Sequence, residues 1–150
     1  MFIKTSYHIG SFEVVSIRNS EGIGVDFIPQ KGGAINQLYM GEEAAPILDS
    51  FMEGDDIDLN PRYKQALLFP FPNRMADGAY SFEGKKYQFP LNDKTNALHG
   101  FLYNEPLVID KLDLFDHKAI IKMSYDYSGN YEFYPFPCKL NIIYTLTKST

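Results

Sequence analysis

Residues 66–101 read ALLFPFPNRMADGAYSFEGKKYQFPLNDKTNALHGF and contain the clearest structural signal in the sequence. Within this stretch, residues 79–82 and 86–89 alternate tyrosine or phenylalanine with smaller or polar side chains, which is typical of strands with one buried face. The loop between them, residues 83–85, contains a glycine and has the length of a hairpin connection. We therefore predict a β-hairpin at the centre of the stretch.

The rest of the chain has the same segmentation. Short apolar-rich runs are separated by Gly, Asn, Asp and Pro at intervals of about ten residues, which is typical of a sandwich or a barrel. The runs that we expect to be strands are residues 12–19, 23–28, 34–40, 107–114, 119–127 and 139–146. Residues 115–118 are predicted to connect a second hairpin. The pattern predicts an all-β fold of antiparallel strands in a single domain over residues 1–150.

Residues 41–65 lack this pattern and are predicted to form a long irregular connection. Within them, residues 46–53 (PILDSFME) suggest a helix of about one or two turns that ends at the following glycine. The aspartates at positions 55, 56 and 58 lack the alternation and the closing glutamate of a calcium loop, so we interpret them as part of a solvated loop. Long connections of this kind often cover functional sites.

Composition and charge exclude several function classes. The chain carries 14 Lys and Arg against 19 Asp and Glu, and this net charge of −5 argues against binding to nucleic acid or to an anionic membrane surface. No apolar run approaches the length needed to span a bilayer. The single Cys138 cannot form an internal disulfide, which fits a reducing compartment such as the cytoplasm. No metal-binding or nucleotide-binding motif is present, so we expect no metal and no cofactor.

The approach to Asn73 and Arg74 is stiff. Pro70 and Pro72 fix their own φ and push each preceding residue toward extended geometry. A guanidinium group held in one direction suits the recognition of ring and hydroxyl oxygens, because its donors form a planar fork. The spacing alone favours the alternative, in which Arg74 pairs with a surface carboxylate and the prolines only turn a corner.

His99 lies in a polar, asparagine-rich segment, where an exposed imidazole can donate or accept a hydrogen bond near neutral pH. Gly100 beside it has no side chain, so a ligand could approach the backbone closely. Aromatic residues make up 15% of the chain; aromatic faces stack on sugars, but the same residues are also favoured in sheet cores. Loop histidines are more often incidental, as we expect of His8 near the frayed terminus and of His117 at a hairpin tip.

These segments together resemble a known family. LLFPFPNR, the following M-x-D-G-x-Y-x-F-x-G-K-x-Y-x-F-P-x-N and N-A-L-H-G-F are similar in order and spacing to the aldose 1-epimerases. YPFP at residues 134–137 and YTL at residues 144–146 resemble the family's next pair of strands. The likeness runs over essentially the whole chain and is most specific over residues 67–101.

The resemblance implies a fold, a reaction and a site. The fold is the galactose mutarotase-like antiparallel β-sandwich, of which this chain is expected to be the first half. The reaction interconverts the α and β anomers of an aldose such as glucose or galactose by acid/base opening and closing of the ring, and it needs no cofactor. By position, Arg74 matches the family's sugar-binding arginine, Asn73 the asparagine before it, and His99 the first of two active-site histidines.

The same resemblance implies that the family's acid and base lie beyond this sequence. The second histidine, usually assigned as the acid, follows the strand with residues 144–146, and the base glutamate comes later still. The carboxylates near the motif, which are not expected to replace that base, are Asp77, Glu83, Asp93 and Glu105.

We therefore expect the parent family to be enzymes and this chain alone to lack turnover. The alternatives are a non-catalytic carbohydrate-binding module and a structural β-sandwich fragment. The expected partners are an aldose sugar and, through exposed sheet edges, a second copy of the chain.

Overall fold

The computed structural model describes residues 1–41 and 43–148, and its regular structure is almost entirely antiparallel β-strand. The strands are β1 (Ile3–Ile9), β2 (Phe12–Arg18), β3 (Gly24–Ile28), β4 (Ala34–Met40), β5 (Ala45–Pro46), β6 (Arg74–Ala76), β7 (Ala79–Phe82), β8 (Lys85–Gln88), β9 (Asn96–Leu98), β10 (Val108–Leu114), β11 (Lys118–Tyr127) and β12 (Cys138–Thr147). The helical segments in the same part of the chain are α1 (Gly54–Leu59) and a 3-10 turn (Leu102–Asn104). The all-β prediction is confirmed.

Two sheets pack face to face around the main core. The first has strand order β1-β2-β3-β4-β5 and the second has order β10-β11-β12. Ile17 and Phe27 of the first sheet share one buried cluster with Ile121 and Met123 of the second. The ring centroids of Phe27 and Tyr144 lie 5.0 Å apart. Each buried side chain of this size contributes about 1.5–3 kcal/mol, so the contact between the two sheets stabilises the sandwich.

Two smaller ladders complete the described structure. The hairpin predicted from residues 66–101 is confirmed as β7 and β8, and its turn residues Glu83 and Gly84 have φ of 50° and 77°. Positive φ at both turn positions matches the twist of a two-residue hairpin. The second ladder pairs β6 with β9. Both ladders lie near a buried aromatic cluster that contains Phe89, Phe101 and Tyr127.

Four of the described strands were not predicted from the sequence pattern. β1 is an edge strand with mostly exposed side chains, so no buried face marks it in the sequence. β5, β6 and β9 have two or three residues each, which is too short for a period to be read. His8, expected near a frayed terminus, is paired with Glu13 in the ladder between β1 and β2.

The helix predicted at residues 46–53 is wrong. A side chain of β4, Gln37, forms hydrogen bonds with the backbone of that segment instead. Gln37 Oε1 accepts the N–H groups of Ile47 and Leu48 at 2.9 and 2.7 Å. Gln37 Nε2 in turn donates to the carbonyl of Leu48 at 2.8 Å. The N–H of Ile47 also lies 3.0 Å from the carbonyl of Leu38, so these bonds hold residues 47 and 48 against β4, and the segment contains β5 and irregular backbone instead of a helix.

A helix forms directly after the expected one, in the segment interpreted as a solvated loop. α1 begins at Gly54, and Asp55 and Asp56 stand in its first turn, where negative charge is favourable. Ile57 is only 1% exposed and packs into a second buried cluster. Burial of Ile57 against the first sheet stabilises the helix at this position. Among the described residues, no helix is long and apolar enough to cross a membrane.

The first sheet carries a buried carboxylate. Asp26 is 0% exposed and pairs with the guanidinium of Arg18 at 3.1 Å. Its Oδ2 also accepts hydrogen bonds from the hydroxyls of Tyr7 at 2.9 Å and Tyr39 at 3.0 Å. Burial, together with the hydrogen bond to Asp26, raises the pKa of Tyr7 to about 12, so that this phenol remains a donor at neutral pH. The network connects four neighbouring strands.

We expect Asp26→Ala to lower the free energy of unfolding by about 2–4 kcal/mol, because the change leaves Arg18 and two phenol hydroxyls without their buried acceptor. Urea unfolding followed by circular dichroism measures the loss. Asp126→Ala is the control, since Asp126 is 77% exposed and its pair with Lys139 spans 3.8 Å. The control should lose less than about 0.5 kcal/mol. Equal losses in the two variants would contradict a stabilising role for the network.

Candidate functional site

The pairing of β6 with β9 brings together the three residues singled out in the sequence. Arg74 begins β6 and faces Leu98 at the end of β9. One residue further, the N–H of Asn73 donates to Nδ1 of His99 at 2.9 Å, and the N–H of His99 donates to the carbonyl of Asn73 at 3.1 Å. Asn73, Arg74 and His99, which are separated by a whole hairpin in sequence, therefore form one cluster.

The backbone on both sides of this cluster is left-handed. Asn73 has φ of 64° and His99 has φ of 65°. Asparagine tolerates this region because its short polar side chain bonds locally, and Asn73 Oδ1 accepts the N–H of Arg74 at 2.9 Å. A histidine in the same region is less common, and such backbone is enriched at functional sites.

Gly100 has a packing role. Its φ is 68°, and a Cβ atom at this position would lie 2.0 Å from the carbonyl oxygen of Phe69. The same oxygen accepts the N–H of Phe101 at 2.8 Å. Position 100 thus requires glycine for the close approach of two protein segments, whereas the sequence suggested the approach of a ligand.

The hydrogen bond to Nδ1 determines what His99 can do chemically. Because Nδ1 accepts a backbone N–H, the neutral imidazole carries its proton on Nε2 and presents that N–H as a donor. Burial lowers the pKa of His99 below its ordinary value, and the positive charge of Arg74 adds to this effect. His99 is therefore a neutral hydrogen-bond donor at pH 7, suited to an oxygen of a ligand.

Arg74 has a carboxylate partner, as the alternative interpretation of the sequence allowed. Its Nε donates to Oδ2 of Asp93 at 2.5 Å, and Asp93 is 24% exposed. The Arg74 side chain remains 57% exposed, and Nη1 of its planar guanidinium donates to Oδ1 of Asn73 at 3.5 Å. The ion pair orients the side chain while leaving donors for a ligand.

The sequence analysis missed Tyr63. Its ring meets the imidazole of His99 edge-on, with centroids 4.6 Å apart, and meets Tyr103 at 4.9 Å. Its hydroxyl oxygen accepts a hydrogen bond from Nδ2 of Asn92 at 3.2 Å. Burial raises the pKa of Tyr63 to about 12. The signal that could have found it is the connection 41–65, whose length alone marked it as a possible cover for a site.

The other charged and imidazole groups lie apart from this contact. Glu105 accepts the hydroxyl of Tyr131 at 2.5 Å. Asp77 and Glu83 occupy turns at positive φ, as their sequence context suggested. His117 lies in the connection between β10 and β11, the predicted hairpin tip. Within residues 1–41 and 43–148, no group of three or more His, Cys, Asp or Glu side chains is placed to hold a metal ion.

A cavity of about 250 Å³ lies next to the cluster. Its lining includes Leu98 and Gly100, the two neighbours of His99, together with the rings of Phe101, Tyr103 and Tyr131. Asn73, Arg74 and His99 do not line it. The three predicted residues therefore present their free donors on an open surface beside the cavity.

These features define a class of protein, the galactose mutarotase-like β-sandwich, here with an arginine and a histidine held together by one short ladder. The sequence profile of the family Aldose 1-epimerase matches residues 13–150. The chain belongs to the aldose 1-epimerase family.

Solved structures agree on the fold. The TM-score is 0.84 with a galactose mutarotase-like protein from Clostridium acetobutylicum, at 24% identity, over 97% of this chain and 46% of that one. It is 0.75 with galactose 1-epimerase from Lactobacillus acidophilus, at 16% identity, over 98% of this chain and 45% of that one. At these identities the likeness concerns the fold alone, and the predicted galactose mutarotase-like sandwich is confirmed.

A curated relative is more similar in sequence over a shorter region. The uncharacterized protein YihR of Escherichia coli strain K12 is 32% identical over 88 residues, which cover 56% of this chain and 26% of that protein. The chain matches less than half the length of each of these three proteins. The family assignment therefore applies to a chain that spans less than half the length of these proteins.

We expect Arg74→Gln to raise the pKa of His99 toward its ordinary value of 6.5, because removing a positive charge makes the protonated imidazole less unfavourable. NMR titration of the His99 ring measures this pKa. Lys139→Gln removes the same charge from the ladder of β11 and β12 and serves as the control. A His99 pKa that is the same in Arg74→Gln as in the unmodified chain would show that the guanidinium does not act on the imidazole.

Proposed function

We propose that this chain supplies the sugar-binding part of an aldose 1-epimerase, which interconverts the α and β anomers of hexoses such as glucose or galactose. Family membership supports the reaction class. The observation that carries the proposal is that Asn73 contacts both other residues: its N–H donates to Nδ1 of His99 at 2.9 Å, and its Oδ1 accepts from Nη1 of Arg74 at 3.5 Å. Sugars offer ring and hydroxyl oxygens, and both groups are donors to such oxygens.

The proposed reaction opens and closes the bond between the anomeric carbon and the ring oxygen. A base takes the proton of the anomeric hydroxyl while a donor protonates the ring oxygen, and rotation of the aldehyde before closure gives the other anomer. In this proposal the neutral His99 hydrogen-bonds a sugar oxygen through its Nε2–H and keeps that proton, while Arg74 and Asn73 hold neighbouring oxygens. The resemblance places the proton donor and the base beyond these 150 residues. These three residues make the contacts with the substrate.

One observation favours a second candidate function, carbohydrate binding without turnover. The general base must reach the anomeric hydroxyl. Asp93 is engaged by Arg74, and Glu105 is engaged by Tyr131. Because both carboxylates already accept hydrogen bonds within the protein, we expect the chain alone to bind a sugar without interconverting its anomers.

We expect fresh α-D-glucose and α-D-galactose to mutarotate at the buffer rate with the 150-residue chain, and the same sugars to shift its NMR signals around His99. Polarimetry and NMR titration measure these two properties. His99→Ala should weaken sugar binding about 5- to 10-fold, the effect of one lost hydrogen bond. The control His117→Ala changes a turn histidine outside the cluster and should bind normally.

The outcomes separate the candidate functions. Mutarotation above the buffer rate that is lost in His99→Ala would establish catalysis by this chain itself. Binding that is unaffected by His99→Ala would refute the proposed site. No binding of either sugar would refute it as well and leave a structural sandwich.

We further propose that the 150-residue chain pairs with a second copy along β12. This strand is in uninterrupted register with β11 over residues 138–147 and pairs with no other strand of the described residues. The other end strands of the two sheets are less suited to such pairing, and β1 is the shorter of the two uninterrupted ones, with seven residues against ten. β10 has a register shift between Ile109 and Lys111, and β5 has two residues, of which one is Pro46.

An antiparallel pair centred on Ile143 would be self-complementary. It places Ile143 opposite its own copy, Ile142 opposite Tyr144, and Leu140 opposite Leu146. Apolar side chains then meet apolar side chains on both faces, and no like charges stand opposite each other. Ile143 is 61% exposed in the single chain, so pairing would bury it.

We expect Ile143→Lys to abolish this association, because it places two lysines opposite each other at the centre of the pair. Sedimentation velocity at increasing protein concentration measures the oligomeric state. Val108→Lys is the matched control, since Val108 is 63% exposed but lies on β10. A monomer at every concentration of the unmodified chain would contradict the proposal.

A cytoplasmic location is also proposed. Cys138 is the single cysteine of the sequence and has no internal disulfide partner. Burial raises the pKa of its thiol, which keeps it protonated and less reactive. Both properties suit a reducing compartment.

A further inference from the structure

Tyr63 belongs to an unusual part of the backbone. It follows α1 in the connection toward β6, and it has φ of 52°, with Asn60 at 28° and Gln65 at 47° nearby. The side chain of Asn60 holds this bend, because its Oδ1 accepts the N–H of Lys64 at 2.8 Å. Three left-handed residues so close together are costly unless the surrounding contacts require them. The bend is what turns the ring of Tyr63 toward His99.

The ring and the hydroxyl of Tyr63 are both held by the segment that carries His99. The ring lies 4.6 Å from the imidazole at an interplanar angle of 70°. The hydroxyl accepts from Asn92 Nδ2, and Asn92 also bonds both backbone groups of Leu98, at 3.0 and 2.6 Å. Tyr63 therefore contacts His99 directly and, through one amide, the residue before it.

We propose that Tyr63 is a positioning residue that fixes the ring of His99, and hence the direction in which its Nε2–H meets the sugar. Two contacts define the imidazole: the N–H of Asn73 holds Nδ1, and the edge-on ring of Tyr63 restricts rotation of the plane. The first contact selects the tautomer and the second selects the orientation. This inference rests on the proposed function, since a fixed donor direction matters only for a bound ligand.

The charges around His99 are consistent with this arrangement. Burial lowers the pKa of His99, and the aromatic ring of Tyr63 covers part of the imidazole. The charged groups nearby are Arg74, which adds to the lowering, and Asp93, which pairs with Arg74. Tyr103 lies behind Tyr63 at 4.9 Å. Removal of the Tyr63 ring exposes the imidazole to water, so the pKa of His99 should rise toward 6.5.

The test compares Tyr63→Ala and Tyr63→Phe in the 150-residue chain. Nitrogen-15 NMR of the His99 ring reports the tautomer and the pKa, and titration with D-galactose reports binding. Tyr63→Ala should raise the pKa of His99 and weaken galactose binding about 2- to 10-fold, the range for loss of one aromatic contact, while the tautomer that the N–H of Asn73 selects stays the same. Tyr63→Phe keeps the ring and should retain the pKa and the tautomer.

Matched controls separate positioning from folding. Tyr87→Ala removes a tyrosine of β8 that stacks on Tyr80, and it should leave the His99 signals unchanged. If Tyr63→Ala does not fold, Tyr63→Leu keeps an apolar side chain in the bend and serves instead. An unchanged pKa of His99 together with unchanged galactose affinity in a folded Ala or Leu variant would overturn the proposal.

The readouts also distinguish this inference from the proposed function. Altered His99 signals in the variant, without galactose binding by the unmodified chain, would support the contact and refute the sugar site. Galactose binding by the unmodified chain, with His99 signals and affinity that Tyr63→Ala does not change, would support the sugar site and refute the positioning role.

Discussion

The close contact between the backbone of Gly100 and the carbonyl of Phe69 holds the two halves of the candidate site together. A Cβ atom at position 100 would lie 2.0 Å from that oxygen, which also accepts the N–H of Phe101 at 2.8 Å. The chain on one side leads through the proline-rich segment to Asn73, and the chain on the other side leads back through His99 into β9. Phe101 then enters the aromatic cluster, so the site and that part of the core depend on the same contact.

The long connection is held against the first sheet before it reaches the site. Gln37 holds the segment after β5 out of a helix, and Ile57 anchors α1 on the sheet. The bend that follows brings Tyr63 onto His99. The same connection therefore packs against the first sheet at one end and against the imidazole of His99 at the other.

The part of the fold that could be predicted from the sequence is the part with a regular period. The hairpin of β7 and β8 and the strands from β10 to β12 follow from alternation and turn residues. β1 could not be found in this way because its side chains are mostly exposed, and β6 and β9 are too short to show a period. The predicted helix was wrong because the side chain of Gln37 binds the backbone of Leu48, eleven residues later, and no local sequence pattern shows such a contact.

For the site, the sequence by itself determined the family, and residue order and spacing predicted Asn73, Arg74 and His99 as its candidate members. Only the tertiary structure decided the chemistry of these residues. The tautomer of His99 depends on the N–H of Asn73, and the direction of Arg74 depends on Asp93. Tyr63 joins them only because a left-handed bend returns the chain to β9. The physical reason is that protonation and orientation are set by hydrogen bonds and burial within a few ångströms, between groups that the sequence holds far apart.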